Sequence, residues 1–319
     1  MTQPTPVRIG TSDLAVAPLA LGGNVFGWTA DRDTSFEVLD AFVAGGGNFI
    51  DTADGYSAWE PGNTGGESET IIGEWLGARG GRDRVTIATK VSSHPEFSGL
   101  AATNVLAAAD ASLGRLGTDH IDLYYAHFDD ADTPLAETVA AFSSLVDAGK
   151  VRAIGVSNYT ADRVAEWFRI ARDGGYHLPV ALQPHYNLVE RGFETNGLRE
   201  VAEAEGLSVI PYFSLAEGFL AGKYRSDADV GAPGASARAG DAAVYLNDRG
   251  RTVLAELDRV AAAHGAPVAA VSLAWLRQQP TIIAPLASAR VPSQLEALLA
   301  SMTLERTGDE VAALNAASA

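Results

Sequence analysis

The sequence has no cysteine, which excludes disulfides and thiolate metal sites and fits a reducing compartment. It has no uninterrupted apolar run near the roughly 18 residues that a membrane-spanning helix needs. Met1 to Gly10 lacks the apolar centre of a signal peptide. The expectation is a cytoplasmic protein that engages no membrane. Basic residues are also scarce: 23 of them face 40 acids, a formal net charge of -17. That balance argues against a nucleic-acid surface, and any anionic ligand must meet a local cluster of cations. Lysine is scarcest of all, with only Lys90, Lys150 and Lys223 in the chain. Three lysines can be chance. A lysine kept at a strand end is still worth noting, because an ammonium is a compact charge that responds to burial, unlike guanidinium.

What the chain does contain is organised around Asn48-Phe49-Ile50-Asp51-Thr52-Ala53-Asp54-Gly55-Tyr56. A short apolar run ends in an acid, then a glycine and a tyrosine follow, the pattern of a buried strand delivering Asp51 and a turn carrying Tyr56. Two more strand-like runs end in titratable groups, Val85 to Lys90 and Ile121 to His127.

Along the chain, residues 7 to 20 predict a small hairpin leading into a strand over 18–22. Thr34 is the expected cap of a helix with Phe36, Leu39, Ala41, Phe42 and Val43 on one face, stopped by Gly45-Gly46-Gly47. Helices are expected over 67–76, 100–116, 134–148, 161–171 and 193–205. Strands are expected over 151–156, 180–183, 207–212 and 281–285. Residues 217–247 read as a long exposed loop, and helices resume over 251–264, 268–277 and 293–301, with a weak tail over 308–316. Eight β-type runs alternating with helices predict a parallel sheet with right-handed crossovers. In 319 residues they favour a closed (β/α)8 barrel, a TIM barrel with an N-terminal β-hairpin, forming a single domain over 1–319. The barrel rule places the active site at the C-terminal strand ends, where Asp51, Lys90 and His127 lie.

Singly, each of these residues is ordinary. Asp51 alone suits a cap, Lys90 a solvated strand end, Tyr56 a packing site and His127 a satisfied core position. Together on one rim they make a general acid: a tyrosine, which titrates near ~10 when free, lowered by a lysine that an aspartate holds in place. A neutral histidine can orient a substrate oxygen. With hydride as the nucleophile, the reaction is carbonyl reduction.

Phe49 to Tyr56, Ile87 to Val91 and Tyr124 to His127 resemble the signature segments of the aldo-keto reductase superfamily. Lys150 to Asn158, Leu182 to Asn187 and Gly218 to Tyr224 extend the likeness from about Leu14 to Leu299, and the run from Tyr56 to Glu69 is most similar to the bacterial aryl-alcohol-dehydrogenase-like branch. The resemblance implies NADPH/NADP+ as cofactor, Tyr56 as proton donor, Lys90 and Asp51 as its tuners and His127 as the carbonyl orienter. It implies that Ser157, Asn158 and Gln183 bond the nicotinamide carboxamide and that Tyr212 stacks on the ring. It runs the rest of the cofactor past Phe213, Leu215, Gly218 and Lys223 to Ser288, Arg290 and Gln294, with Arg290 suited to a 2′-phosphate by its planar fork. Two positions depart from the family pattern. Leu298 stands where an Asn or Glu is frequent, and Ser214 lies in a Tyr212-Phe213-Ser214-Leu215 run that replaces Tyr-Ser-Pro-Leu. No glycine-rich dinucleotide fingerprint joins a strand to a helix, which disfavours a Rossmann unit.

Phe26, Trp28, Trp59, Phe128 and Tyr186 fall in rim loops, where aromatics line substrate pockets and pack loops with equal ease. Asp129, Asp130 and Asp132 have no second histidine at ligand spacing, so no metal is expected. The partner is a small carbonyl compound, and the expected state a monomer or weak homo-oligomer. Two rivals stay open: a nucleotide-sensing binding subunit of the same fold, as in channel β subunits, and a barrel metallohydrolase.

Overall fold

The computed structural model describes residues 4–233 and 235–319. Met1 to Gln3 of the N-terminal segment and Gly234 of the long loop lie outside the described residues. An antiparallel hairpin, β1 (Val7–Arg8) and β2 (Ala15–Val16), comes first. The alternation opens with β3 (Ala20–Gly22), α1 (Arg32–Ala44), β4 (Phe49–Asp51) and α2 (Glu67–Arg79). It continues with β5 (Thr86–Val91), α3 (Ala102–Leu116), β6 (Ile121–Ala126) and α4 (Leu135–Asp147). Then come β7 (Val151–Ser157), α5 (Ala161–Gly174), β8 (Ala181–Gln183), α6 (Leu198–Glu205) and β9 (Ser208–Val209). Two short helices, α7 (Asp227–Val230) and α8 (Ala239–Ala242), interrupt the long loop before α9 (Asp248–His264) and α10 (Val268–Arg277). The chain ends in β10 (Leu286–Ala287), α11 (Leu295–Ala300) and α12 (Gly308–Ala317).

Strands β3 to β9 pair in chain order and in parallel, and β10 pairs β3. The ring closes just ahead of β10: the Val209 amide donates to the Thr281 carbonyl at 2.9 Å, and the Ile283 amide donates back to the Val209 carbonyl at 3.1 Å. This is the (β/α)8 barrel, with strands buried on both faces as parallel sheets require. Alternation along each strand sorts the core into two layers. Ala20, Phe49, Ala88, Leu123, Tyr125, Ala153 and Ala181 form an inner cluster with hairpin residues Ile9, Leu14 and Val16. Leu21, Ile50, Ile87, Tyr124, Ile154 and Leu182 pack outward with the helices. The Gly10 amide bonds Ser208 Oγ at 2.8 Å, so the hairpin plugs the N-terminal end of the barrel and leaves the other end open.

Beyond shifts of a few residues at helix and strand ends, the structure departs from the sequence reading as follows. The cap of α1 is Asp31, whose carboxylate accepts from the Thr34 amide at 2.9 Å, so Thr34 lies inside the first turn. The run 193–205 breaks into a short turn at Gly192–Glu194 and α6, because Gly197 adopts a left-handed conformation at φ 87°. The eighth strand is divided: Thr281–Ile283 bonds β9, and Leu286–Ala287 bonds β3. The segment 217–247 is not a free loop, since Ala239 and Ala242 are buried and Ser236, Ala237, Arg238 and Asp241 line the cavity at the open end.

Candidate active site

Strand parity assembles the rim. Asp51 follows inward Phe49 by two residues, Lys90 follows Ala88, and His127 follows Tyr125, so all three face the barrel axis. Gln183 stands two beyond Ala181, and Ser157 stands on the same parity of β7. The Lys90 amine is fully buried and donates to Asp51 Oδ1, to the Thr52 carbonyl at 2.7 Å and to the Tyr56 hydroxyl at 2.9 Å. Gln183 Nε2 donates to the other Asp51 oxygen at 2.9 Å. His127 Nδ1 lies 3.2 Å from Ser93 Oγ, and its ring sits 5.9 Å from that of Tyr56.

Burial pushes the Lys90 amine down, but Asp51 and Tyr56 together outweigh it, so the group stays charged. Burial raises the Tyr56 phenol, and the opposing pull of Lys90 does not overcome it. The expectation that Lys90 sets the net direction is therefore corrected: desolvation dominates, and the phenol holds its proton through neutral pH. Burial also drives His127 well below its ordinary range, reinforced by Lys90, so the imidazole is neutral.

Above these groups opens a cavity of about 910 Å³ whose walls include Tyr56, His127, Ser157, Asn158, Gln183 and Tyr212. Tyr212 donates its hydroxyl to Asn158 Oδ1 at 2.8 Å, and the Asn158 amide donates to the His127 carbonyl at 2.9 Å. Phe213, Leu215, Gly218, Lys223, Ser288, Arg290 and Gln294 line the cavity's other reach. Gln294 Oε1 accepts from the Arg290 amide at 2.8 Å, fixing that turn. Burial and the nearby Arg290 both lower the Lys223 amine, so two cations stand close together. Among the described residues neither pairs with a carboxylate. Two neighbouring cations without carboxylate partners, both on the lining of the cavity, fit the phosphates of a dinucleotide.

Trp28, Trp59 and Phe128 line the mouth beside Tyr56. Trp28 and Trp59 meet edge to face at 5.5 Å, and Phe128 stacks on His127 at 4.5 Å. Phe26 and Tyr186, expected in this pocket, are elsewhere. Phe26 is fully buried in the outer core, and its carbonyl accepts from Ser57 Oγ at 2.8 Å. Tyr186 packs against Phe193 and Trp275 and donates to Glu194 at 2.5 Å. Sequence reasoning missed Arg238, which lies over the Trp28 ring at 5.2 Å from within the long loop. It also missed Asn24, whose amide, oriented to satisfy both neighbours, accepts from Arg238 and donates to Ser288. Only the arginine bias of the composition pointed toward such a residue. Asp129 pairs with Arg163 at 2.7 Å, and Asp130 accepts from the Leu100 amide at 2.7 Å.

The sequence is 33% identical to Protein tas of Escherichia coli over 97% of this chain and 96% of that one. It is 31% identical to norsolorinic acid reductase B of Aspergillus parasiticus, over 95% of this chain and 81% of that one. It is 30% identical to aryl-alcohol dehydrogenase [NADP(+)] of Phanerodontia chrysosporium, over 95% and 82%. The model of the Aldo/keto reductase family matches residues 18–319. With barrel, rim and sequence in agreement over nearly its whole length, the chain belongs to the aldo/keto reductase family.

Proposed function

We propose that the protein reduces aldehydes or ketones to alcohols with NADPH, Tyr56 supplying the proton. The observation that carries this reading is the Lys90 amine 2.9 Å from the Tyr56 hydroxyl on the cavity wall. Lys223 and Arg290 would hold the phosphates, with Arg238 a third cation lining the same cavity. Ser157, Asn158 and Tyr212 would hold the nicotinamide end, and Gln183 serves it or stays on Asp51. Bound NADPH supplies hydride to the carbonyl carbon. The neutral His127 and the Tyr56 hydroxyl bond the carbonyl oxygen and polarise it. As negative charge develops there, Tyr56 gives its proton, and the charged Lys90 stabilises the phenolate left behind. Trp28, Trp59 and Phe128 form an aromatic mouth suited to aryl carbonyl compounds. One relative's name specifies both an aryl alcohol and NADP(+), which supports the cofactor and the substrate class.

Replacing Tyr56 by phenylalanine removes only the transferable proton. Turnover of an aromatic aldehyde should fall about 10²- to 10⁴-fold, while NADPH binding, read by fluorescence titration, stays within about twofold because the ring remains. Wild-type rates in this variant would remove Tyr56 from the chemistry. Cytoplasmic residence completes the proposal. Among the described residues no helix is long and apolar enough to cross a membrane.

A further inference from the structure

Behind the rim, outside the barrel wall, lies a cluster of buried polar side chains that the proposed reaction does not use. Asp54, three residues past β4, donates its amide to the Lys90 carbonyl at 3.1 Å. Its carboxyl is fully buried, and among the described residues no side chain hydrogen-bonds either oxygen; only the Gly55 backbone amide pulls on it as a donor. Glu69 of α2, also fully buried, accepts from Thr89 of β5 and from Arg115 Nε of α3 at 2.7 Å. Tyr124 of β6 adds a buried hydroxyl without a partner. His94 bounds the region from the segment after β5, its ring against Gly65. Lys90 has its amine on the other side of the sheet, committed to Asp51 and Tyr56.

Two carboxyls therefore face one guanidinium, and Glu69 already holds it. A second buried carboxylate there has no guanidinium of its own, so one of the pair keeps a proton. Burial first, then Glu69, pushes the Asp54 carboxyl up to about 8 against the pull of Arg115, the Gly55 amide and Lys90. The same turn has little freedom. A Cβ at Gly55 would come within 2.7 Å of Ser93 Oγ, the group that contacts His127, and the Tyr56 amide bonds the Ala53 carbonyl at 3.3 Å.

We propose that Asp54 is a positioning residue for Tyr56: its protonated carboxyl allows the 53–56 turn to seat on β5, and ionisation under alkaline conditions loosens that turn and draws the Tyr56 hydroxyl away from Lys90. The activity half of this proposal rests on Tyr56 being the proton donor. The stability half does not.

The sign follows from linkage. The unfolded chain loses the Asp54 proton near the ordinary 3.8 and the folded chain near about 8, so stability drains away as pH rises between the two and levels off above. Asp54→Asn has no proton to lose. Its melting temperature should exceed that of the wild type by a margin that grows from about pH 5 to pH 8 and then stays constant. Asp54→Ser serves as a second uncharged variant should the asparagine fail to fold. In steady-state reduction of an aromatic aldehyde, the alkaline fall of kcat should move upward by about one pH unit or more in these variants, with kcat near neutrality unchanged within about twofold. A melting difference independent of pH overturns the buried proton, and an unmoved alkaline limb overturns the positioning role. If the wild type reduces no carbonyl, the Tyr56 reading and the activity half fail together, and the melting series alone decides whether Asp54 holds its proton.

Discussion

Lys90 is a fully buried ammonium whose three donors are all used, on Asp51, on the Thr52 carbonyl and on Tyr56. That closed valence makes its removal costly at the level of the single residue. Lys90→Met would leave Asp51 buried with, among the described residues, only the Gln183 amide for company. Breaking a buried pair from one side costs about 3–5 kcal/mol, and urea unfolding should record a loss of that size. A loss below about 1 kcal/mol would place the pair in a more polar setting than its burial indicates. Arginine is no substitute, because a planar fork cannot address three groups arranged around a point charge. Residue identities at this site were legible because Asp51, Lys90 and His127 each end a strand-like run, and because lysine is so rare. The net direction of the Tyr56 shift was not. A sequence names the neighbouring charge and says nothing about how much water the fold removes.

At the scale of elements, the site is a consequence of period-two alternation. Inward small residues at positions 20, 88, 153 and 181 leave room for Phe49, Leu123 and Tyr125 to fill the barrel. Gly155 of β7 shows how little room is left: a Cβ there would lie 2.4 Å from two Tyr125 ring carbons, and the ring is fully buried. Gly155→Ala should therefore cost about 1–3 kcal/mol in chemical denaturation. Adding Tyr125→Leu, which vacates the ring, should return part of that loss. Simple additivity of the two changes would mean the strands part without strain. Alternation is also why strands two to four could be read to within a residue or so, whereas Phe26 and Tyr186 could not be placed. Both lie between regular elements, where no period says which way a side chain points. Asp31 and Thr34 posed a milder version of this problem. Both are capping types, three residues apart, and the acceptor proved to be the first of them.

The molecule as a whole carries a net charge of -17 yet offers a cavity suited to an anion. The barrel was readable from the count of alternating runs. The cover of the cavity was not, because the buried anchors of 217–247 (Phe219, Leu220, Tyr224, Ala239 and Ala242) are spread along it without a sustained apolar period. That cover brings Arg238, over the Trp28 ring, to the cavity that Lys223 and Arg290 also line. Two electrostatic effects then compete for the proposed NADPH: repulsion from the acidic surface and attraction by a few cations on the cavity lining. At 0.1 M salt, exposed charges are screened beyond about 10 Å, whereas contacts in a partly buried cavity are screened far less. The local cations should win, so the NADPH dissociation constant should rise as salt increases from about 20 to 200 mM. A constant that falls with salt would mean that the acidic surface governs binding instead. Arg290→Ala separates the same forces by ligand. A hydrogen bond to a charged group contributes about 1.5–3 kcal/mol, so NADPH should bind roughly ten- to a hundredfold more weakly. NADH, without the 2′-phosphate, should be nearly unaffected, and the salt dependence left in the variant should be the shallower of the two. Equal losses for both nucleotides would move Arg290 from the 2′-phosphate to the shared pyrophosphate.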